Sequence, residues 1–286
     1  MAPELSAALG PVRRAAADRV LTLLIGERPP SARRAPGPGL FGTGSAAARV
    51  HADPAMLVGG LAALILQSLH PLAMAAVAGH SAFRQDPWGR LRRTARFLGE
   101  ITFAEPAEAE RAVERVNRVH QRIRGVAADG RPYRAGDPHL LAWVHAAEVH
   151  CFLRAHERYG RSPLASAEAD RYVREMAEAA ARLGAEPAPR SRAELAAALE
   201  AFRPELWPTP EARSAVRFLL TAPMPLAARG PYAVVAAAAV GVLPGFARRL
   251  LLLPQPPLGE PLVVRPAATA LLRTLGWLLS APPAAA

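Results

Sequence analysis

Two stretches of the chain are rich in side chains that bind metals, anions or protons. Residues 70–94, HPLAMAAVAGHSAFRQDPWGRLRRT, contain two histidines, a cluster of arginines and a threonine, and residues 143–150, WVHAAEVH, add two more histidines. Imidazole is a common axial ligand of haem iron, and guanidinium has the right shape to clamp a propionate carboxylate. Together the two stretches indicate a haem pocket.

The spacing within the second stretch selects one imidazole for the role of iron ligand. A helix over this segment places five residues on one face, Leu141, His145, Glu148, Phe152 and His156. His150 points elsewhere, so one helix cannot easily bring both imidazoles to one iron. Apolar neighbours predict that His145 is buried. The alternative for any single buried histidine is a hydrogen-bonded core residue, and His120, on a valine stripe, fits that alternative.

Composition limits the classes of function. The chain has 286 residues, 51% of them apolar and 21% charged, which is typical of a folded globular protein with a sizeable core. The net charge of +11 comes from arginines scattered along the chain without a zinc-finger, RNP or P-loop pattern, so no nucleic-acid partner is expected. Cys151 is the only cysteine, which excludes an intramolecular disulfide and a CxxCH site; any haem would be held noncovalently.

Other catalytic chemistries find no matching pattern. The sequence lacks the paired Glu-x-x-His motifs of di-iron bundles, the HExxH of zinc proteases and the GxSxG elbow of serine hydrolases. The N-terminus shows no convincing export signal, which predicts a cytoplasmic protein. Residues 55–78 come nearest to a membrane span, but Gln67 and His70-Pro71 interrupt them. We interpret this segment as a buried core helix followed by a proline-directed bend.

The predicted fold class is all-α, a single multi-helix globular domain, because helical periodicity dominates and no useful strand pattern appears. Ser166, the pair Ser191 and Glu194, and Thr209 are predicted to cap helices. Helices are predicted at 4–25, 54–69, 72–79, from Trp88 to near Gly99, from Pro106, at 138–157, and from the three caps onward. The predicted parts are an N-terminal helix with a Pro/Gly-rich connector (1–53), a helical catalytic core (54–225) and apolar C-terminal helices packed on it (226–286).

The same two stretches carry a resemblance to a known family. The run LVGGLAALILQSLHPLAMAAVAGHSAFRQDPWGRLRRTARFL, followed by YRAGDPHLLAWVHAAEVHCFLRAHERYG, resembles the bacterial family that shares its catalytic domain with latex-clearing protein, a rubber oxygenase, and with the fungal MpaB-type oxygenases. The likeness covers about residues 55–220. It implies a globin-like helical core that binds haem b, with a histidine as proximal ligand and an Arg-x-x-x-Thr element beside the cofactor.

The resemblance also implies an activity and assigns residues to it. The family's haem activates dioxygen to cleave carbon–carbon double bonds. By motif, Arg90 to Thr94 supplies the Arg-x-x-x-Thr element, and His145 best matches the proximal histidine. The rubber-cleaving members carry a lysine just before the threonine, where this chain has Arg93, and arginine is a very poor iron ligand. A lysine-capped closed state is therefore not expected, and neither is polyisoprene as substrate.

These inferences give a working hypothesis for the site. The residues expected to hold the haem are His145, Arg90, Arg93 and Thr94, those expected to act in catalysis are His80, Thr94 and Glu148, and those expected to wall the pocket are Leu91, Phe97 and Phe103. The expected substrates are dioxygen and a small apolar or isoprenoid-like molecule. Two alternatives stay open, a haem carrier or sensor and a lipid-binding protein without haem at a membrane surface. The electron source and oligomeric state are open as well.

Overall fold

A computed structural model describes residues 37–80, 87–253 and 259–279. This part of the chain is helical apart from one two-stranded sheet, which confirms the all-α prediction. The helices are α1 (Ala46–His51), α2 (Met56–Gln67), α3 (Pro71–His80), α4 (Pro87–Phe103), α5 (Pro106–Arg122), α6 (Pro138–Tyr159), α7 (Ser166–Leu183), α8 (Arg192–Phe202), α9 (Pro210–Leu220), α10 (Leu226–Val242), α11 (Gly245–Leu250) and α12 (Arg265–Leu279). A 3₁₀ turn follows α8 (Arg203–Glu205), and a π-helical turn precedes α12 (Glu260–Val264).

Helix α6 is the element around which the core is built. Its start follows from the sequence, because the Asp137 carboxylate accepts hydrogen bonds from the first free backbone N–H groups and Pro138 lacks one. Helix α2 packs closely against α6, and the indole N–H of Trp143 donates to the carbonyl of Gln67 over 3.1 Å. Trp143 is fully buried. The α2–α6 seam therefore fixes the position and rotation of α6.

Helices α2 and α3 form the predicted bent pair. Their axes meet at 104°, and Pro71 is the first residue of α3. Since most of α2 is buried, the interpretation of residues 55–78 as a core helix followed by a bend is confirmed.

The C-terminal helices share the main core but leave apolar side chains exposed. The main cluster of buried apolar side chains draws members from Ala46 to Leu272. The helical segment Glu260–Leu279 is nevertheless long and apolar enough to cross a membrane, with only 17% of its apolar window buried. Leu262 and Trp277 are 67% and 52% exposed. Length and composition alone make this weak evidence for a membrane contact.

The structure differs from the sequence-based expectation in small elements. The connector predicted for residues 27–53 contains the helix α1, and the predicted loop before α6 contains an antiparallel hairpin, β1 (Arg124–Val126) and β2 (Pro132–Arg134). Three-residue strands are too short to show a period-two pattern. Gly125 makes room there for the ring of Tyr133, whose hydroxyl oxygen would lie 2.6 Å from an added Cβ.

The helix caps were predicted with mixed success. Ser191 and Thr209 accept hydrogen bonds at the starts of α8 and α9, as predicted. Ser166 is the first helical residue of α7, so its prediction as a cap is wrong: Ala165 precedes the helix, and the Glu168 carboxylate accepts from the Ala165 N–H over 3.1 Å. The predicted helix at 4–25 lies outside the described residues.

Candidate functional site

His145 lies in the middle of α6 and is 9% exposed. Its Nε2 atom is buried and has no hydrogen-bond partner among the residues that the structure describes. Burial lowers the pKa of His145 to about 4, so the imidazole is neutral near pH 7. A buried, neutral imidazole nitrogen without a partner is costly unless something binds it. This atom therefore has the properties of a metal ligand, which must be deprotonated to coordinate.

Glu148 follows one turn later on the same face of α6. Burial raises the pKa of its carboxyl to about 7, so both protonation states are populated near neutral pH. Its negative charge contributes to raising the pKa values of Cys151 and Tyr172, on α6 and on α7, and this places the three groups in one region. A carboxyl of this kind can take up or release a proton at physiological pH.

His51, on α1, belongs to the same buried region and was not among the predicted site residues. Its Nδ1 lies 2.8 Å from the hydroxyl of Thr102, which itself donates to the Leu98 carbonyl. The Thr102 oxygen must then accept from Nδ1–H, and Nε2, 3.3 Å from the Tyr172 hydroxyl, is the acceptor. Both ring nitrogens are occupied, so His51 is a structural residue. The sequence does contain a signal for helix α1, because Ser45 is its N-cap residue. That signal lies in a glycine-rich connector, where no helix was predicted.

Helix α4 carries the Arg-x-x-x-Thr element and packs against α1 and α5. Arg93 is exposed and Thr94 half-buried, while the side chains of Arg90 and Leu91 lie outside the described part. Arg90 and Thr94 are four residues apart, so the helix places both positions on one face. The expected pocket-wall residues Phe97 and Phe103 are half-buried.

His80 ends α3 and faces the hairpin. Its Nε2 donates to the carbonyl oxygen of Arg124 over 3.1 Å, and its ring meets the Tyr133 ring edge-on at 6.0 Å. Among the described residues, no hydrogen bond or ring contact joins His80 to His145 or Glu148. The structure thus brings His145 and Glu148 together and places His80 at the hairpin.

A small apolar cavity lies beside α6, between α2, α3 and α9. Its volume is about 70 Å³, and its lining includes Leu64, Met74, Val144 and Phe218. Pockets for small organic molecules usually measure about 300 Å³ or more. The cavity is therefore large enough for a diatomic gas or a water molecule but too small for an isoprenoid.

Comparisons with known proteins agree with the resemblance of the two motif stretches. The sequence profile of the family described as "ER-bound oxygenase mpaB/B'/Rubber oxygenase, catalytic domain" matches residues 48–280. No curated protein and no solved structure matches the chain. Since the profile covers most of the 286 residues, the chain belongs to the mpaB/rubber oxygenase catalytic-domain family.

Proposed function

We propose that the chain is a haem b-dependent oxygenase in which His145 would bind the haem iron. The observation that carries this proposal is the buried Nε2 of His145, which has no hydrogen-bond partner within the described part of the chain and belongs to a neutral imidazole. Membership of the oxygenase family supports the class of reaction. When bound, haem would supply the iron at which dioxygen is activated, and the substrate would be a small apolar alkene.

The chain's own residues would bind the cofactor and handle protons. Arg90 and Arg93, on α4, would neutralise the propionates, since a guanidinium pairs well with a carboxylate. Thr94, one helical turn from Arg90, would offer a hydroxyl group to the bound cofactor, whereas His80 is held at the hairpin by its hydrogen bond to the Arg124 carbonyl. Glu148 would accept or release a proton, because its pKa of about 7 keeps both forms available.

The first test is the visible absorption spectrum of the purified chain, expressed with a haem precursor. We expect a Soret band in the wild type and its loss or shift in His145→Ala. His150→Ala is the matched control, because His150 lies on the same helix with its pKa also lowered to about 4 by burial, yet on another face. A colourless wild type after haem titration, or an unchanged band in His145→Ala, would contradict the assignment.

Glu148→Gln should stabilise the fold at pH 8 and have little effect at pH 5. A carboxyl whose pKa rises from 4.5 to about 7 on folding destabilises the folded chain as pH rises through that window. At 1.36 kcal/mol per pKa unit the upper limit is about 3 kcal/mol. Urea unfolding at both pH values measures the gain.

The control for this substitution is Glu157→Gln. Glu157 lies on the same helix but pairs with Arg154 and Arg192, so its loss removes ion pairs and should give no gain at pH 8. An equal gain in stability at pH 5 and pH 8 for Glu148→Gln would show that the gain does not come from the ionisation of the Glu148 carboxyl.

A second candidate function is favoured by the apolar surface of the Glu260–Leu279 segment. Its exposed Leu262, Val263 and Trp277 suit a lipid surface better than water. A protein that stays colourless with haem but cosediments with lipid vesicles would be a lipid-binding protein rather than a haem oxygenase.

A further inference from the structure

A second cluster of metal-binding side chains lies away from the His145 region, where three segments meet. His70 stands at the bend between α2 and α3, His139 in the first turn of α6, and Glu205 in the 3₁₀ turn after α8. One donor atom from each lies within 4.8 Å of the other two. The Glu205 carboxylate is 3.4 Å from Nε2 of His70 and 2.9 Å from Nε2 of His139. The three donors thus converge on one point.

The protein core holds two of these segments in place. The backbone N–H of Trp207 donates to the carbonyl of Leu69 over 3.0 Å, which ties the segment after Glu205 to the residue before His70. The Phe202 ring packs at 4.7 Å against the His139 ring and at 6.4 Å against that of His70. His70 is only 1% exposed, so its imidazole cannot turn into solvent.

We propose that His70, His139 and Glu205 bind one divalent transition-metal ion of the zinc class, through the two Nε2 atoms and the carboxylate. Two imidazoles and one carboxylate, with a further position left to water, form a donor set known for catalytic zinc. Ligands of a tetrahedral site with bonds of about 2.0–2.1 Å lie roughly 3.3 Å apart. The 3.4 Å between His70 and Glu205 fits that spacing, and it is longer than an ordinary N–H···O hydrogen bond.

Exposure supplies the entry path that a metal site needs. The side chains of His139 and Glu205 are 53% and 39% exposed, so both can adjust by a few tenths of an ångström and leave one side open to water. His70 closes the other side. The site is thus anchored by a rigid ligand and completed by two that can move.

The local charges favour a cation at this point. The Glu205 carboxylate brings a negative charge to within 3.4 Å of both imidazoles. The opposing charge is Arg131, whose guanidinium pairs with Asp129 over 2.7 Å and stacks 5.0 Å above the Trp207 ring. Because Asp129 neutralises Arg131, the net local charge stays favourable for a divalent ion.

The metal site is independent of the proposed haem ligand. His139 and His145 are six residues apart on α6, which rotates their side chains to different faces of the helix. A failure of one assignment therefore does not imply a failure of the other. His145→Ala should keep metal binding, and His139→Ala should keep the Soret band if haem is bound.

The test is titration of the full, chelator-treated chain with Zn²⁺, followed by calorimetry, and with Co²⁺, followed by its visible bands. We expect one ion per chain, with affinity reduced at least about tenfold in His139→Ala and in Glu205→Gln. Both residues are exposed, so the variants should fold, which circular dichroism checks. The control is Glu200→Gln, which removes an exposed carboxyl of α8 that pairs with Arg203. This variant should bind the ion like the wild type.

Two results would overturn the metal site. One is the absence of stoichiometric binding of either ion by the wild type. The other is an unchanged affinity in both His139→Ala and Glu205→Gln, which would place the ion at another group of side chains.

Discussion

Acidification from pH 7 to pH 5 is expected to lower the free energy of unfolding by about 4 kcal/mol. Burial lowers the pKa of His51 to about 3 and of His145 and His150 to about 4. It also lowers the pKa values of His70 and His156. In the unfolded chain all five imidazoles are exposed and have a pKa near 6.5. As pH falls, the unfolded chain therefore binds protons that the folded chain does not bind. Their stability contribution is therefore complete above pH 6.5 and is lost as pH falls below it.

The expected loss is a large fraction of the total stability. At pH 5, each histidine with a folded pKa of about 4 or lower costs about 2 kcal/mol, so three such groups together cost about 6 kcal/mol. Glu148 acts in the opposite direction. Its carboxyl becomes protonated as pH falls, which raises the free energy of unfolding by about 2 kcal/mol. Whole proteins have a free energy of unfolding of about 5–15 kcal/mol, so a net loss of about 4 kcal/mol removes a large fraction of it.

Urea unfolding between pH 7 and pH 5 measures this effect. The slope of the unfolding free energy against pH gives the number of protons taken up, and we expect at least about two near pH 5.5. His150→Gln should reduce that number by about one. A stability that does not change between pH 6.5 and pH 5 would contradict the buried, neutral state of these imidazoles.

The sequence predicts the long helices well, because each has a regular pattern and a local boundary. The helices predicted to begin at Pro106, at residue 138 and after the Thr209 cap begin there in the structure. The common face of His145 and Glu148 follows from the same helical period. These features depend on residues that are close together in the sequence, so they can be predicted from the sequence alone.

The groupings that the sequence did not predict depend on contacts between distant segments. His70 and Glu205 are separated by 135 residues, and His51 and Tyr172 by 121, so no spacing rule connects them. Whether a histidine is hydrogen-bonded, as His51 is, or has a free ring nitrogen, as His145 has, depends on its neighbours across the core. Residue type therefore identifies candidate functional histidines, and the contacts in the fold distinguish a structural histidine from a possible metal ligand.

Gly59→Leu is expected to destabilise the chain strongly through the seam between α2 and α6. A Cβ atom at Gly59 would lie 3.1 Å from the Cα atom of Phe152 and 3.2 Å from the Cβ atom of Ala155. The backbone of α6 cannot move aside without disturbing the packing of its own Trp143 against α2. Overpacking of a dense core costs about 1–3 kcal/mol, and more where backbone must shift. For a chain of this size, that lowers the melting temperature by about 2–4 °C per kcal/mol.

The neighbouring glycine makes the test selective. No atom of the described segments lies within 4 Å of a Cβ atom at Gly60, on the same helix, so Gly60→Ala should gain up to about 1 kcal/mol from helix propensity. Thermal unfolding should therefore move in opposite directions for the two variants. Because α6 also carries His145 and Glu148, a displaced α6 in Gly59→Leu should weaken haem binding as well. Equal melting temperatures for the two variants would show that α2 and α6 are not in close contact at Gly59.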